Sequence, residues 1–154
     1  MTEYNSKQGI VKCPPYQLYM SFVDMRNFLN YLPEDKKQGV NADYDTLQAN
    51  IQGFDFGVKV HERTPYSKIS VVDYGAPFAF KVDLCFDSNN GDPYTTAFHI
   101  DVEADLNFMM KMMIGSKVKE ALDKVVDSMV DLSNGRMPEG IDPSMFRGTD
   151  FFKG

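Results

Sequence analysis

The chain has 154 residues, with 22 acidic and 16 basic side chains and a net charge of −6. A domain of this length buries about 68–70% of its unfolded surface and needs no disulfide or metal to fold. The negative charge repels phosphate backbones and anionic lipid head groups, so we expect no nucleic acid partner and no polybasic membrane attachment.

The two cysteines, Cys13 and Cys85, are far apart and form no Cys-x-x-Cys motif. The N-terminal sequence has no apolar run typical of a signal peptide, and no apolar run reaches the roughly 18 residues that cross a bilayer. These features predict a reduced, cytoplasmic protein with no membrane span.

The first elements in chain order are a strand and a helical region. A strand is predicted from Lys7 to Cys13, and the Pro14-Pro15 pair that follows suits the first turn of a helix. From Leu18 to the stop at Pro33, apolar residues recur at steps of three and four. Asp24 is suited to end one helix and cap the next, so this region is interpreted as one or two short helices.

Five antiparallel strands are then predicted, because apolar and polar residues alternate with a period of two. Short connections made of turn residues separate them and indicate a meander. The predicted strands are Thr46 to Gln52, Phe54 to Arg63, Ser67 to Gly75, Pro77 to Asp87 and Tyr94 to Asp105.

The last predicted element is a long helix from Asn107 to Leu132, in which apolar residues recur at helical spacing. The predicted inward stripe consists of Phe108, Met112, Gly115, Val118, Leu122, Val125, Met129 and Leu132. Its first part, up to Ile114, is apolar around nearly the whole circumference, so we expect other elements to cover it. Gly115 predicts a close backbone approach or a kink on the side that faces the sheet, because glycine costs about 1 kcal/mol in a helix.

Beyond the helix, residues 134–154 show no periodicity and are predicted to be a flexible or docking tail, which leaves residues 1–133 as the folded domain. Its apolar pairs, Met145-Phe146 and Phe151-Phe152, suit three roles that remain open. These roles are to cover a pocket, to dock elsewhere on the same chain or to pair with another subunit, and a tail that simply frays is the alternative.

The order of elements, β-α-α-β-β-β-β-β-α, predicts an α+β fold. In this prediction a curved antiparallel sheet of about six strands wraps around the long C-terminal helix, the only element long enough to cover its apolar face. A sheet that curves around a helix encloses space, so this architecture favours an internal pocket.

This arrangement resembles the helix-grip superfamily, which includes the START lipid-transfer domains, the Bet v 1 allergens and the polyketide cyclases. The resemblance rests on the order of elements from Lys7 to Leu132, the Pro14-Pro15 helix entry, the Glu62 to Pro65 turn (ERTP) and the long last helix. The glycine-rich loop of the Bet v 1 branch is not matched, since residues 53–57 (GFDFG) are shorter and aromatic. The resemblance implies the fold and an apolar cavity, and no catalytic residue.

The first functional hypothesis is binding or carriage of a small hydrophobic molecule, lipid-like or polycyclic, in a cavity between sheet and helix, without chemistry and without a cofactor. Methionine side chains adapt to ligands of different outline, although ordinary core packing explains the same pattern. The predicted ligand-binding residues are Phe56, Val58, Val60, Ile69, Val71, Phe78, Phe80, Val82, Phe98, Ile100, Val102, Phe108, Met109, Met112, Met113 and Leu122.

Two alternatives remain. Glu62, Arg63 and Tyr74 are weak catalytic candidates for a cyclase or aldolase-type enzyme, because a carboxylate, a guanidinium and a phenol at one cavity end would polarise a carbonyl and move a proton. The same residues suit strand ends that reach solvent. The third hypothesis is a protein-interaction module or homodimer, formed through the outer sheet face or the tail.

No metal site is predicted from the sequence. His61 and His99 fall on the polar phase of their strands, where a solvent-facing side chain is the simpler interpretation. The carboxylates of Asp83, Asp101 and Glu103 are likewise interpreted as a solvated face.

Overall fold

The computed structural model describes residues 1–31, 38–51 and 53–135. The predicted helix stop at Pro33 and the predicted tail from residue 136 onward lie outside the described residues. Within them, no helix is long and apolar enough to cross a membrane.

The described residues form one antiparallel sheet of eight strands and two α-helices, which confirms the predicted α+β fold. The strand order is β1-β8-β7-β6-β5-β4-β3, and β2 also pairs with β8. The elements are β1 (Thr2–Asn5), β2 (Gly9–Val11), α1 (Pro15–Phe22), a 3-10 helix (Met25–Tyr31), β3 (Val40–Ala42), β4 (Thr46–Ile51), β5 (Phe54–Thr64), β6 (Lys68–Asp73), β7 (Phe80–Asn89), β8 (Asp92–Ala104) and α2 (Phe108–Ser133).

The edge of the sheet differs from the single first strand that the sequence predicts. Two short strands, β1 and β2, lie in line along β8, at Asp101–Ala104 and Thr96–Phe98 respectively. The break falls at Ser6. There the Ile100 N–H donates its hydrogen bond to Ser6 Oγ (2.8 Å) rather than to a backbone carbonyl of the neighbouring strand. Together with the short β3, this split brings the strand number to eight rather than six.

The helical region after β2 is a pair of short helices, as one of the two sequence interpretations has it. Pro15 occupies the first turn of α1, where a missing N–H costs no hydrogen bond. Asp24 then starts the 3-10 helix by accepting a hydrogen bond from the Arg26 N–H (2.9 Å). α1 packs against β6, β7 and β8 and closes one end of the sheet's inner face.

The buried centre of the domain lies under α1. The rings of Phe22, Phe86 and Phe98 stack with centroids 5.6–6.1 Å apart, and Tyr19 meets Phe86 edge-on at 6.0 Å. We call this set of four rings the closed core. Aromatic rings in such offset and edge contacts add about 0.5–1.5 kcal/mol per pair beyond their burial.

The long helix α2 packs mainly against β1, β2 and β8. Its second half is held tightly, because Val126 and Met129 are buried and Gly9 on β2 lets the backbones approach. A Cβ added at Gly9 would lie only 2.6 Å from Val126 Cγ1 and 2.7 Å from Val130 Cγ2.

The predicted inward stripe of α2 is wrong in its phase at three positions. Phe108, Met112 and Val125 are exposed, at 78%, 71% and 43%. Leu122, Met129 and Leu132 of the predicted stripe do pack on the core, and they are joined there by Met110, Ile114, Val126 and Val130. The start of the helix is apolar all round, and both Val125 and Val126 are apolar, so the pattern did not fix which side faces the sheet.

Candidate functional site

An apolar groove lies between the sheet and the first half of α2, with a cavity volume of about 220 Å³. Only apolar surface is exposed inside it, and it is open to solvent on one side. It is lined by Tyr4, Phe56, Phe78, Phe80, Val102, Ala104, Leu106, Ile114 and Val118.

The sheet side of the groove is built from three phenylalanine rings in sequence. The centroid of Phe78 lies 6.2 Å from that of Phe56 and 5.7 Å from that of Phe80. Two hydrogen bonds fix the loop that carries Phe78: the Phe80 N–H donates to Asp73 Oδ1 (2.9 Å), and the Asp105 N–H donates to the Ala79 carbonyl (2.8 Å). The aromatic wall is therefore anchored at both ends of its loop.

The helix side of the groove is built from Ile114 and Val118, which lie one turn apart on the same face of α2. Between them, Gly115 faces β1, since an added Cβ would lie 3.3 Å from the Tyr4 hydroxyl. The glycine thus lies on the sheet-facing side, as the sequence predicts. The small side chain of Ala104, directly opposite Phe80 across β7 and β8, leaves space between sheet and helix.

Four of the sixteen predicted ligand-binding residues line the groove, namely Phe56, Phe78, Phe80 and Val102. Four others are buried in the core: Ile69, Val71, Phe98 and Ile100. Four more are half-buried against that core: Val58, Val60, Val82 and Leu122.

Five lining residues are absent from the predicted ligand-binding set. Val118 belongs to the predicted inward stripe of α2 but not to that set, and Ile114 lies outside the stripe because the apolar start of the helix does not indicate which side faces the sheet. Tyr4 lies in a strand that was not predicted. Ala104 continues the inward alternation of β8, and Leu106 extends the same phase just beyond the strand.

The remaining four predicted residues, Phe108, Met109, Met112 and Met113, lie on the outward side of α2 and are 66–78% exposed. Phe108 is four residues before Met112, and Met109 is three and four residues before Met112 and Met113, so the four side chains form one surface, which we call the methionine patch. The expectation that other elements cover all sides of this part of the helix, and that these residues face the phenylalanine-rich strands, is wrong for the described part of the chain.

The proposed catalytic trio does not converge. Glu62 is exposed and accepts a hydrogen bond from Thr64 Oγ1 (3.1 Å), and Tyr74 is 45% exposed. The backbone of Tyr74 pairs with Gly57, five residues before Glu62, which corresponds to roughly 16 Å along the strand. A register shift between Val60 and Glu62 also ends the simple alternation from which the inward direction of Glu62 was inferred.

Arg63 has a structural environment instead. Its guanidinium donates to the carbonyls of Val23 (2.9 and 3.0 Å) and Tyr44 (2.8 Å), pairs with Asp45 (2.7 Å) and lies 4.0 Å from the Tyr44 ring centroid. These contacts tie the end of α1 and the loop before β4 to β5. Arg63 thus holds the cover of the closed core in place.

Neither cysteine supplies a nucleophile to the groove. Burial raises the pKa of the Cys13 thiol to about 12, and Cys13 lies in the core beneath α1. Because the thiolate is the reactive form, this thiol is inert at neutral pH. Cys85 lies on the opposite face of the sheet, where its side chain alternates with the inward Leu84 and Phe86.

Comparison with known proteins places the chain by its fold. No protein-family model matches the sequence, and no curated protein matches it significantly. Norcoclaurine synthase from Thalictrum flavum superposes with a TM-score of 0.61 at 10% identity, covering 85% of each chain. The Aha1 dimer from Colwellia psychrerythraea gives 0.57 at 13% identity, covering 85% of this chain and 95% of that one. A Thermobifida fusca protein gives 0.62 at 10% identity, covering 84% and 91%.

Proposed function

We propose that this chain, which has the helix-grip fold of those structures, binds a small apolar molecule in the groove without transforming it. The observation that carries the proposal is the groove itself, about 220 Å³ of space lined by three phenylalanine rings and aliphatic side chains. Among the residues that the structure describes, Tyr4 is the one lining residue with a polar side-chain atom. This described lining therefore supports binding, and it contains no group suited to acid–base chemistry.

The size of the groove sets the class of ligand. A cavity of about 150 Å³ lined by apolar side chains holds one benzene ring, so this groove suits a compound of one or two rings, or part of an acyl chain. Because one side is open, a longer ligand keeps its polar end in solvent. A ligand that buries about 200 Å² of apolar surface gains roughly 5 kcal/mol of transfer free energy, less the cost of immobilising the ligand, so we expect an affinity no tighter than about 0.2 mM.

The test is a titration with the neutral fluorescent probe N-phenyl-1-naphthylamine, using two variants of the same helix. Val118→Phe fills the groove, whereas Val125→Phe adds the same ring to the exposed side of α2. We expect wild type and Val125→Phe to bind equally and Val118→Phe to bind at least tenfold more weakly. Equal affinity in the two variants would place the probe elsewhere and contradict the proposal.

Native mass spectrometry followed by solvent extraction identifies what the purified protein carries. A bound compound with a ring system or acyl chain is expected. We propose a cytoplasmic location for the protein, because its two cysteines lie on opposite faces of the sheet and form no disulfide with each other.

Protein interaction is the second candidate function, favoured by the methionine patch. Flexible, polarisable methionines are common at adaptable binding surfaces, and four exposed apolar side chains together rarely remain without a partner. We propose a second copy of this chain as that partner. Sedimentation velocity tests it: Met112→Lys is expected to convert a dimer to a monomer, and a wild-type protein that remains monomeric at about 100 µM would exclude this role.

A further inference from the structure

The outward face of β7 and β8 carries a cluster of three residues that suit a metal ion. Cys85 and His99 are direct partners across the two strands, and Asp101 lies two residues after His99 on the same face. Their candidate ligand atoms all lie within 4.8 Å of one another. This cluster is independent of the groove, which lies on the other face of the sheet.

The spacing of these atoms is close to that of a tetrahedral site. His99 Nε2 lies 3.3 Å from Asp101 Oδ2, and Cys85 Sγ lies 3.9 Å from the same oxygen. Zinc bonds of about 2.0–2.3 Å at tetrahedral angles place ligand atoms roughly 3.3–3.7 Å apart. The distances of 3.3 and 3.9 Å lie at or close to this range.

The second ring nitrogen of His99 provides a separate observation. Nδ1 is buried and makes no hydrogen bond among the described residues, although Asp87 Oδ2 lies 3.4 Å away. Histidines that ligate a metal through one nitrogen commonly direct the other at a carboxylate, which fixes the tautomer and the ring. Asp87 is placed to act as this carboxylate, while Nε2 faces Asp101 and Cys85.

The charges around the cluster favour a cation. The carboxylates of Asp83, Asp87 and Asp101 lie near Cys85, and Lys68 is its cross-strand partner on β6. A divalent ion offsets the repulsion among these carboxylates, and a thiol that ligates such an ion loses its proton.

We propose that Cys85 Sγ, His99 Nε2 and the Asp101 carboxylate form a zinc site, with Asp87 as the positioning residue for His99. A thiolate with an imidazole selects zinc over magnesium or calcium, which prefer oxygen ligands alone. Three protein ligands leave the fourth tetrahedral position to water. The sequence predicts a solvent-facing His99 and no metal site here, because the partners that surround this side chain come from the cross-strand register.

The experiment is a Co²⁺ titration of the full chain, reduced with a phosphine, followed by displacement with Zn²⁺. We expect one equivalent of Co²⁺ with a thiolate-to-cobalt charge-transfer band and the visible bands of a tetrahedral ion. Cys85→Ser removes the charge-transfer band, and His99→Gln weakens binding more than 100-fold. Asp87→Asn weakens binding by roughly 10–100-fold, as expected of a carboxylate behind a ligand.

The matched control is His61→Gln, which removes the other histidine, an exposed residue on β5. It should bind Co²⁺ as wild type does. Equal affinity in His61→Gln and His99→Gln, absence of a thiolate band, or displacement by Ca²⁺ as effective as by Zn²⁺ would each overturn the proposal. The cluster would then be an imidazolium held between carboxylates. If circular dichroism shows that Cys85→Ser misfolds, Asp101→Asn provides the same test from a half-exposed position.

Discussion

The two ends of the sheet's inner face are both rich in phenylalanine, yet one is closed and the other open. Phe80 and Phe86 lie on the same face of β7, six residues or roughly 20 Å apart. At the Phe86 end, α1 contributes Phe22 and Tyr19 and completes a stacked cluster. At the Phe80 end, three rings face Ile114 and Val118 of α2 across a groove.

The difference shows that the covering helix, rather than the aromatic content of the strands, decides whether such a surface becomes core or site. The apolar residues that would fill the groove are present in the chain, but α2 directs them outward as the methionine patch. Apolar surface is thus exposed in two places, in the groove and on the outward side of the helix.

The largest expected effect is a difference between the closed core and the groove in how much a lost ring lowers the free energy of unfolding. Phe98→Ala removes a fully buried, stacked ring and should lower the free energy of unfolding by about 3–5 kcal/mol. Phe78→Ala, at the half-buried wall of the groove, should cost only about 1 kcal/mol, because much of its surface is already in contact with solvent. Urea unfolding measures both, and equal losses would mean that the groove is packed as tightly as the core.

Substitution of Arg63 tests whether its contacts hold the cover of the closed core in place. Arg63→Lys keeps the charge but loses the fork that bonds Val23 and Tyr44 together, so we expect a loss of about 1–2 kcal/mol. The control Arg26→Lys changes an exposed pair with Asp24 and should cost under about 0.5 kcal/mol. Similar small losses of stability in both variants would contradict the role of Arg63 in holding the cover of the closed core.

The methionines of α2 provide a matched pair on one helix. Met110→Ala should cost about 1 kcal/mol, because this side chain is half-buried against the core. At concentrations low enough to keep the protein monomeric, Met112→Ala should change the free energy of unfolding by less than about 0.5 kcal/mol, because its side chain is exposed in the monomer. Thermal unfolding compares them, and the reverse order would restore the helix phase that the sequence predicts.

The smallest effect concerns the attachment of α2 to the sheet edge. Asp123 accepts hydrogen bonds from the Lys7 N–H (2.6 Å) and Lys119 Nζ (3.2 Å), and the Lys7 N–H bond is the main cause that lowers its pKa. The carboxylate therefore stabilises the fold above the ordinary aspartate pKa, and this contribution disappears as the pH falls through the lowered value. Asp123→Asn should shift the urea midpoint downward at pH 7 and leave it unchanged near pH 2, whereas an equal shift at both would exclude a charge effect.

Much of the fold is predictable because its signals are local. Alternation identifies β5 to β8 and their inward faces, and the proline pair marks the start of α1. The split at Ser6 depends on a hydrogen bond to Ile100, far along the chain, and the register shift after Val60 depends on pairing with β6. These features arise from pairing between strands, so no local pattern reveals them.

Only the sheet side of the groove was predictable, because it follows from a local pattern whereas the helix side depends on packing between distant parts of the chain. Strand parity places Phe56, Phe80 and Val102 on one face, whereas the apolar run at the start of α2 allows several phases. The side of α2 that faces the sheet is set by contacts in the second half of the helix, above all the close approach of Val126 to Gly9.

Methyl NMR during titration with N-phenyl-1-naphthylamine tests the central claim most directly. An open groove beside a closed core predicts large shifts for the methyls of Ile114, Val118 and Val102, and none for Ile69 or Val126. Shifts confined to Met109, Met112 and Met113 would place binding on the methionine patch and contradict the groove as the ligand site.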